Sequence, residues 1–340
     1  MQKTLRIGTR SSQLAVWQAT LVQTLLKENG VGAELVFIKS EGDIDTVTPL
    51  YALGVTGIFT KTLDAALLSN RIDIAVHSMK DVPTQLAEGI LQAAVLKRGS
   101  HKDILVPHPD IADIEKYLDR GVVERTKVES TIGSTVIEKG FTTFLNTGEP
   151  EKATIATGSI RRIAQWKLHY PHHTIENLRG NVNTRLQKLK ESNWQGAIFA
   201  AAGLERIGLR PANAIDLDWM LPAPAQGAIM VVCRDGDQHS FQSCQSLNDE
   251  STALCTKIER DFLSTLMGGC STPISAIAQV KNGQVHFDGN IVSVDGTMVA
   301  SRSGSATIAL ANDMGQRLAR QLLLQPNVQK FIETIRGGKI

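Results

Sequence analysis

The chain has 340 residues, enough for two or three domains, with 42% hydrophobic but only 5% aromatic residues, the aliphatic core supply that α/β folds favour. Its 36 Lys and Arg stand against 34 Asp and Glu, for a net charge of +2. This balance removes any global reason to expect a nucleic acid or membrane-surface partner and leaves anion binding to local clusters. The N-terminus, MQKTLRIGTR, has no apolar h-region, and no run is long enough to cross a bilayer, so a cytoplasmic protein with no membrane partner is expected.

Leu5-Arg6-Ile7-Gly8-Thr9 reads as a first strand. A helix capped by Ser11 or Ser12 follows, with Leu14, Trp17, Leu21 and Leu25 on one face, and then a second strand at Ala33–Ile38. This β-α-β opening predicts a parallel sheet. Arg10 and Ser12 fall at its first strand-to-helix turn, where helix N–H groups attract anions. Residues 40–58 lack a steady period and read as a loop, a candidate lid. A helix near Thr60–Leu68 leads into Ile72-Asp73-Ile74-Ala75-Val76-His77-Ser78-Met79-Lys80-Asp81-Val82-Pro83, an apolar strand that breaks into polar residues and is stopped by Pro83. Ligands collect at the carboxyl ends of such strands, so Lys80 and Asp81 stand where a reacting group would be held, although a turn in which Asp81 bonds a local N–H reads equally well. Strands near Ile90–Leu96 and Ile104–Val106 extend this first domain.

Residues 108–152 are mixed and charged, and read as a linker with a surface insertion. The α/β rhythm restarts at Thr154. Three strand-to-helix turns follow, Gly158-Ser159-Ile160-Arg161-Arg162, Arg179 to Arg185, and Ala202 to Arg206, each carrying arginine. If the strands are parallel, Arg161, Arg162, Arg179, Arg185 and Arg206 converge at one sheet edge as a polyanion cleft. Leu221-Pro222-Ala223-Pro224-Ala225-Gln226-Gly227-Ala228 is a two-proline crossing, followed by an apolar strand ending at Cys233 that could return to the first sheet. A helix from Asp249 to about Leu266, three alternating strands and two closing helices complete the chain. The expected domains are 1–107 with 228–246 (discontinuous α/β), 153–221 (α/β) and 247–340 (α+β), with 222–227 as the hinge crossing.

The cysteines are Cys233, Cys244, Cys255 and Cys270. None pairs as C-x-x-C and no His lies at zinc-finger spacing, so neither a metal site nor a disulfide framework is expected. Cys233 reads as a small buried hydrophobe. Cys270, in Met267-Gly268-Gly269-Cys270-Ser271-Thr272-Pro273, is held out on a loop, where a thiol is available for covalent chemistry or where the turn merely caps a helix.

Taken together, Ile7 to Ala15, Asp73 to Pro83, Thr157 to Arg162, Leu178 to Leu186, Leu221 to Ala228 and Gly268-Gly269-Cys270, six motifs in order along nearly the whole chain, resemble the porphobilinogen deaminase (hydroxymethylbilane synthase) family. The resemblance implies two domains like periplasmic binding proteins plus a third. It implies head-to-tail condensation of four porphobilinogen units with loss of ammonia, then release of hydroxymethylbilane. It also implies a dipyrromethane cofactor joined by a thioether to Cys270, and the residues agree with that chemistry. The pyrrole acetates and propionates make a polyanion that Arg10, Arg161, Arg162, Arg179, Arg185 and Arg206 would neutralise. Ser12, Ser78, Thr157 and Ser159 would add hydrogen bonds, Lys80 would pair with a carboxylate, and Gln226 falls among the substrate-binding positions. Asp81 is the choice for the group that assists departure of the aminomethyl nitrogen, steadies the azafulvenium cation and takes the proton from the attacked carbon. The chain is expected to be a monomer.

This sequence also departs from the family pattern. Ala52 and Thr56 stand where lysines are common in the lid, with Lys61 as a possible substitute, Gln13 stands where proline is frequent, and residues 109–152 are longer than usual. The competing reading is a two-lobed anion receptor without catalysis, against which stand the missing export signal and the displayed Cys270. Nucleic-acid binding is disfavoured by the near-neutral charge and by the lack of an aromatic platform.

Overall fold

The fold is described from a computed structural model, which covers residues 4–39, 60–118, 122–129, 135–143, 151–266 and 272–336. The candidate lid with Ala52 and Thr56, and the loop bearing Cys270, lie outside the described residues. Three five-stranded sheets organise the chain.

In the first sheet, Leu5–Thr9 pairs in parallel with Ala33–Phe37 and with Ile74–Ser78, and Ile229–Arg234 runs antiparallel between Ile74–Ser78 and Ile90–Val95. One core, around Ile7, Val22 and Val231, packs beneath the Gln13–Glu28 helix, and another, around Leu63, Ala75 and Met230, packs beneath the Lys61–Leu68 helix. Burial on both faces explains why these strands read as apolar runs rather than alternating ones. In the second sheet, Thr154–Ala156, Thr174–Glu176 and Gly196–Ala200 are parallel. Their carboxyl ends therefore open at one edge.

Two expectations are corrected. Asp103–Pro107 does not extend the first sheet. It pairs antiparallel with Gly196–Ala200 in the second, with Asp103 opposite Ala200. A short apolar strand carries no record of which sheet it will join. The 108–152 segment is also more than a surface linker, because Val122–Glu129 and Thr135–Thr143 form an antiparallel pair that adds to Met298–Thr307, widening the third sheet from three strands to five. An edge strand rich in charge lacks the apolar alternation that marks a half-buried one, and so reads as a solvated stretch.

In the third unit, the Glu250–Leu266 and Met314–Leu323 helices cover the sheet, with Phe262 and Phe287 rings 5.0 Å apart in its core. No described helix is long and apolar enough to cross a membrane.

The third unit meets the chain segments that join the first two at Glu259, which is fully buried on the Glu250–Leu266 helix. Its Oε1 accepts from Arg98 Nη1 at 2.6 Å and from Ala278 N at 2.7 Å, and its Oε2 accepts from Arg98 Nη2 at 3.1 Å and from Ala225 N at 2.6 Å. Ala225 sits at φ 62°, a conformation a non-glycine residue rarely adopts, and this carboxylate holds its N–H. Beside it, a Cβ on Gly227 would stand 2.5 Å from the Ser100 carbonyl oxygen, so the two chain crossings pack backbone to backbone only because glycine is there. Removing one partner of a buried pair leaves an uncompensated charge. Glu259→Ala should therefore lower the unfolding free energy by about 3–5 kcal/mol, read as a lower urea midpoint.

Candidate active site

The first sheet delivers two groups of residues to one edge. The Leu5–Thr9 and Ile74–Ser78 strands are parallel, with Ile7 opposite Ile74, so Arg10 and the Met79–Asp81 turn emerge side by side. Ser12 caps the Gln13–Glu28 helix, accepting from Ala15 N. On that helix, buried Gln18 donates to Ser78 Oγ at 2.9 Å and so ties the helix to the strand end. His77 is buried, and burial first and the Arg10 charge second push its imidazole down to about 4. Arg260, on the Glu250–Leu266 helix of the third unit, donates to the Val82 and Pro83 carbonyls at 2.8 and 2.5 Å, clamping the turn that carries Asp81. Asp81 itself is exposed.

The second sheet supplies the opposite wall. A Cβ on Gly158 would lie 2.6 Å from the Leu178 carbonyl oxygen, so two arginine-bearing turns touch through a bare backbone. Buried Thr157 accepts from Ser159 N through its hydroxyl, and Ser159 is the residue preceding the Ile160–His169 helix. Arg161 and Arg162, in the first turn of that helix, are buried, and their guanidinium groups are not open to a ligand on all sides. Asp103 Oδ2 accepts from Arg161 Nη2 at 2.7 Å, and Asp103 Oδ1 accepts from Arg162 Nε and Nη2 at 3.0 and 2.8 Å. These two guanidiniums hold the Asp103 carboxyl down at about 2 against the opposing effect of burial. Sequence reasoning missed Asp103 because the strand it begins was assigned to the wrong sheet. Running antiparallel, that strand starts where its parallel neighbours end, which is the cleft edge.

Lys80 links the walls. Its ammonium donates to Gln226 Oε1 at 3.4 Å and is pushed down to about 8, chiefly by burial and then by the Arg162 and Arg161 charges, while Asp81 and Asp103 pull the other way. Arg185 Nε donates to the Gly180 carbonyl at 2.8 Å, and its guanidinium is pushed down to about 10 by burial and by Arg162 and Arg179, against the pull of Asp81 from the facing lobe. Arg179 is buried. Arg206 lies away from this group, donating to the Gly227 carbonyl at 2.6 Å and packing its guanidinium over the Trp17 ring at 5.7 Å. The structure thus brings Lys80, Asp81, Arg161, Arg162, Arg179 and Arg185 into one electrostatic neighbourhood, sets Arg10, Ser12 and Ser78 on its first-lobe rim, and puts Arg206 at the hinge.

The comparisons with known proteins bear on this geometry directly. Residues 5–242 match the porphobilinogen deaminase dipyromethane cofactor binding domain, and residues 253–324 match the porphobilinogen deaminase C-terminal domain. The chain belongs to the porphobilinogen deaminase family. A porphobilinogen deaminase of Syntrophomonas wolfei subsp. wolfei is 36% identical over 338 residues, covering 98% of this chain and 99% of its own length. The chloroplastic porphobilinogen deaminase of Oryza sativa subsp. japonica is 38% identical over 330 residues, covering 94% of this chain and 83% of its own. Among solved structures, the methionine-binding protein MetQ aligns with 72% of this chain and 89% of its own at 12% identity and a TM-score of 0.40. The two-lobed architecture is established by this chain's own strand order rather than by that likeness.

His77 makes the site acid-sensitive. Between pH 6.5 and about 4 the unfolded chain binds a proton at this imidazole that the folded chain does not, so stability falls as the pH drops through that window. The slope approaches about 1.4 kcal/mol per pH unit. Urea unfolding at pH 6.5 and pH 5 should show a shallower loss for His77→Gln than for the unchanged protein.

Proposed function

We propose that this chain catalyses the head-to-tail condensation of four porphobilinogen units with loss of ammonia, followed by hydrolytic release of hydroxymethylbilane. The observation that carries the reading is the juxtaposition of one exposed carboxylate, Asp81, with an excess of partly buried cations on the facing wall. A cleft in which burial and neighbouring guanidiniums lower the proton affinity of Lys80 and Arg185 is stabilised by anions, and the acetate and propionate groups of pyrroles are such anions.

The same excess fits the dipyrromethane group that the family's first domain binds. Lys80 and Arg185 would hold its carboxylates, with Ser12, Ser78, Thr157 and Ser159 as hydrogen-bonding neighbours, while Arg161 and Arg162 would contribute field more than direct grip because Asp103 and the Leu221 and Ile198 carbonyls already accept from both guanidiniums. When bound, the group supplies a covalently tethered pyrrole carbon that primes the chain of condensations. Arg10 and Arg179 would receive the incoming substrate. Asp81 would steady positive charge near a pyrrole nitrogen, donate a proton toward the departing amine and later accept one from the attacked carbon.

Attachment is assigned to Cys270. The other three cysteines are buried, and burial raises Cys233 to about 11, Cys244 to about 12 and Cys255 to about 11, leaving almost no thiolate near neutral pH. Both flanks of the Cys270 loop are tied to the site. Upstream, the Glu250–Leu266 helix clamps the Asp81 turn through Arg260. Downstream, Ser275 Oγ accepts from Gln165 Nε2 at 2.9 Å, and Gln165 lies one turn beyond Arg161 and Arg162.

Intact-mass measurement of denatured protein should show an adduct of two pyrrole units that is lost in Cys270→Ser and kept in Cys233→Ser. An unmodified wild-type mass, or an adduct surviving Cys270→Ser, refutes the attachment. Ehrlich's reagent should colour the wild-type protein, whereas a reversible anion receptor stays colourless. Asp81→Asn should retain the fold by circular dichroism and lose about 10²–10⁴-fold in turnover. Turnover near the wild-type rate would remove Asp81 from its role.

A further inference from the structure

Gln226 is fully buried in the hinge crossing, and its amide orientation follows from its partners. Nε2 donates to the His101 carbonyl at 2.8 Å and to Asp103 Oδ1 at 3.0 Å, both acceptors only. Oε1 therefore has to face the Lys80 ammonium, 3.4 Å away. Asp103, Gln226 and Lys80 form a continuous relay from the second lobe, through the hinge, to the residue beside Asp81. Asp103 has no exposed surface and satisfies donors from Arg161, Arg162 and Gln226 at once. No motif singled out this residue, and the condensation chemistry does not call for it.

We propose that Asp103 is a positioning residue: it locks Arg161 and Arg162, orients the Gln226 amide, and through that amide fixes the Lys80 ammonium, charged, for a carboxylate of the bound pyrroles. The last clause rests on the deaminase reading; the relay itself does not. The physical reason is a balance of charge. Lys80 faces Arg161 and Arg162, which oppose its protonation, and Asp81 and Asp103, which favour it. Asp81, exposed at the mouth of the cleft, is the larger of the two favouring charges, and Asp103, fully dry, adds to it from the second lobe. Without the Asp103 charge, Asp81 alone would oppose the two guanidiniums and the burial, and the amine would give up its proton at a lower pH than in the intact chain. The cleft would then lose a cation exactly at the lobe junction.

The test is competitive acetylation of the purified full-length chain with acetic anhydride across pH 6–10. Peptide mass spectrometry reads the modification of Lys80 against exposed Lys190 as internal reference. In the Cys270→Ser chain, which on the reading above holds no tethered carboxylate against it, Lys80 should titrate with a midpoint lowered to about 8, and the Asp103 substitutions are compared in that background. Asp103→Asn should move that midpoint lower and raise Lys80 labelling at pH 7 several-fold, and Asp103→Glu should restore it. A midpoint unmoved in folded Asp103→Asn, whatever its thermal stability, overturns the proposal. If Asp103→Asn does not fold, Gln226→Leu breaks the second link. A lowered midpoint there supports the relay and an unchanged one overturns it. Failure of the deaminase reading would appear separately, as wild-type protein that stays colourless with Ehrlich's reagent while Lys80 titrates as stated.

Discussion

The architecture depends on a carboxylate placed where the third unit meets the segments that connect the first two. Glu259 accepts four hydrogen bonds, two from one guanidinium and one each from the backbone of the hinge crossing and of the third sheet. Burying that charge is costly, and the cost is offset only when every acceptor position is filled with good geometry. The arrangement is therefore an all-or-none junction, since loosening any of the contributing segments strands charge on the others. It fixes the part of the crossing that leads into Gln226, the segment that begins at Arg98, and the helix on which Glu259 itself stands. The site inherits its geometry from this point.

A second buried carboxylate, Asp103, does for the cleft what Glu259 does for the fold. One negative charge facing two guanidiniums leaves a net positive region that is oriented and water-poor before any ligand arrives. Pre-ordered donors cost little to reorganise on binding, which is why such a wall suits a chain of acidic rings better than a set of flexible surface lysines would. Burial first, and the neighbouring guanidiniums second, lower the proton affinity of Lys80 and Arg185. Anions entering the cleft oppose that lowering, so binding and protonation reinforce each other.

Much of this was legible in the sequence. Strong apolar strands followed by turns, as at Ile74–Ser78 and Gly196–Ala200, were readable because burial on both faces imposes continuous apolar runs, and the recurrence of arginine after parallel strands pointed to one sheet edge. The helix Glu250–Leu266 lies within a residue of its expected bounds, because amphipathic spacing is a local signal. Pairing across the chain was not legible. Asp103–Pro107 looks like any short apolar strand, and only its partner Gly196–Ala200 puts Asp103 at the cleft. Asp103 then converts two arginines from presumed free ligands into a structured wall. Arg260 was invisible for the same reason, since its carbonyl partners lie 177–181 residues away.

The strands Val122–Glu129 and Thr135–Thr143 lie at the edge of the third sheet that is remote from the cleft. They continue the third sheet at Met298–Thr307, on the side away from Ile274–Lys281, whose neighbours Pro222 and Gln165 connect to the site. A sheet can grow at a free edge with no change to the register of the strands already paired, because each new strand satisfies only the outermost row of N–H and C=O groups. Growth at the Ile274–Lys281 edge would instead displace the backbone bond from Ala276 to the Pro222 carbonyl and the Ser275 contact with Gln165. The edge at which these two strands join is thus constrained by the same contacts, Ala276 with Pro222 and Ser275 with Gln165, that tie the Ile274–Lys281 strand to the anion-binding wall.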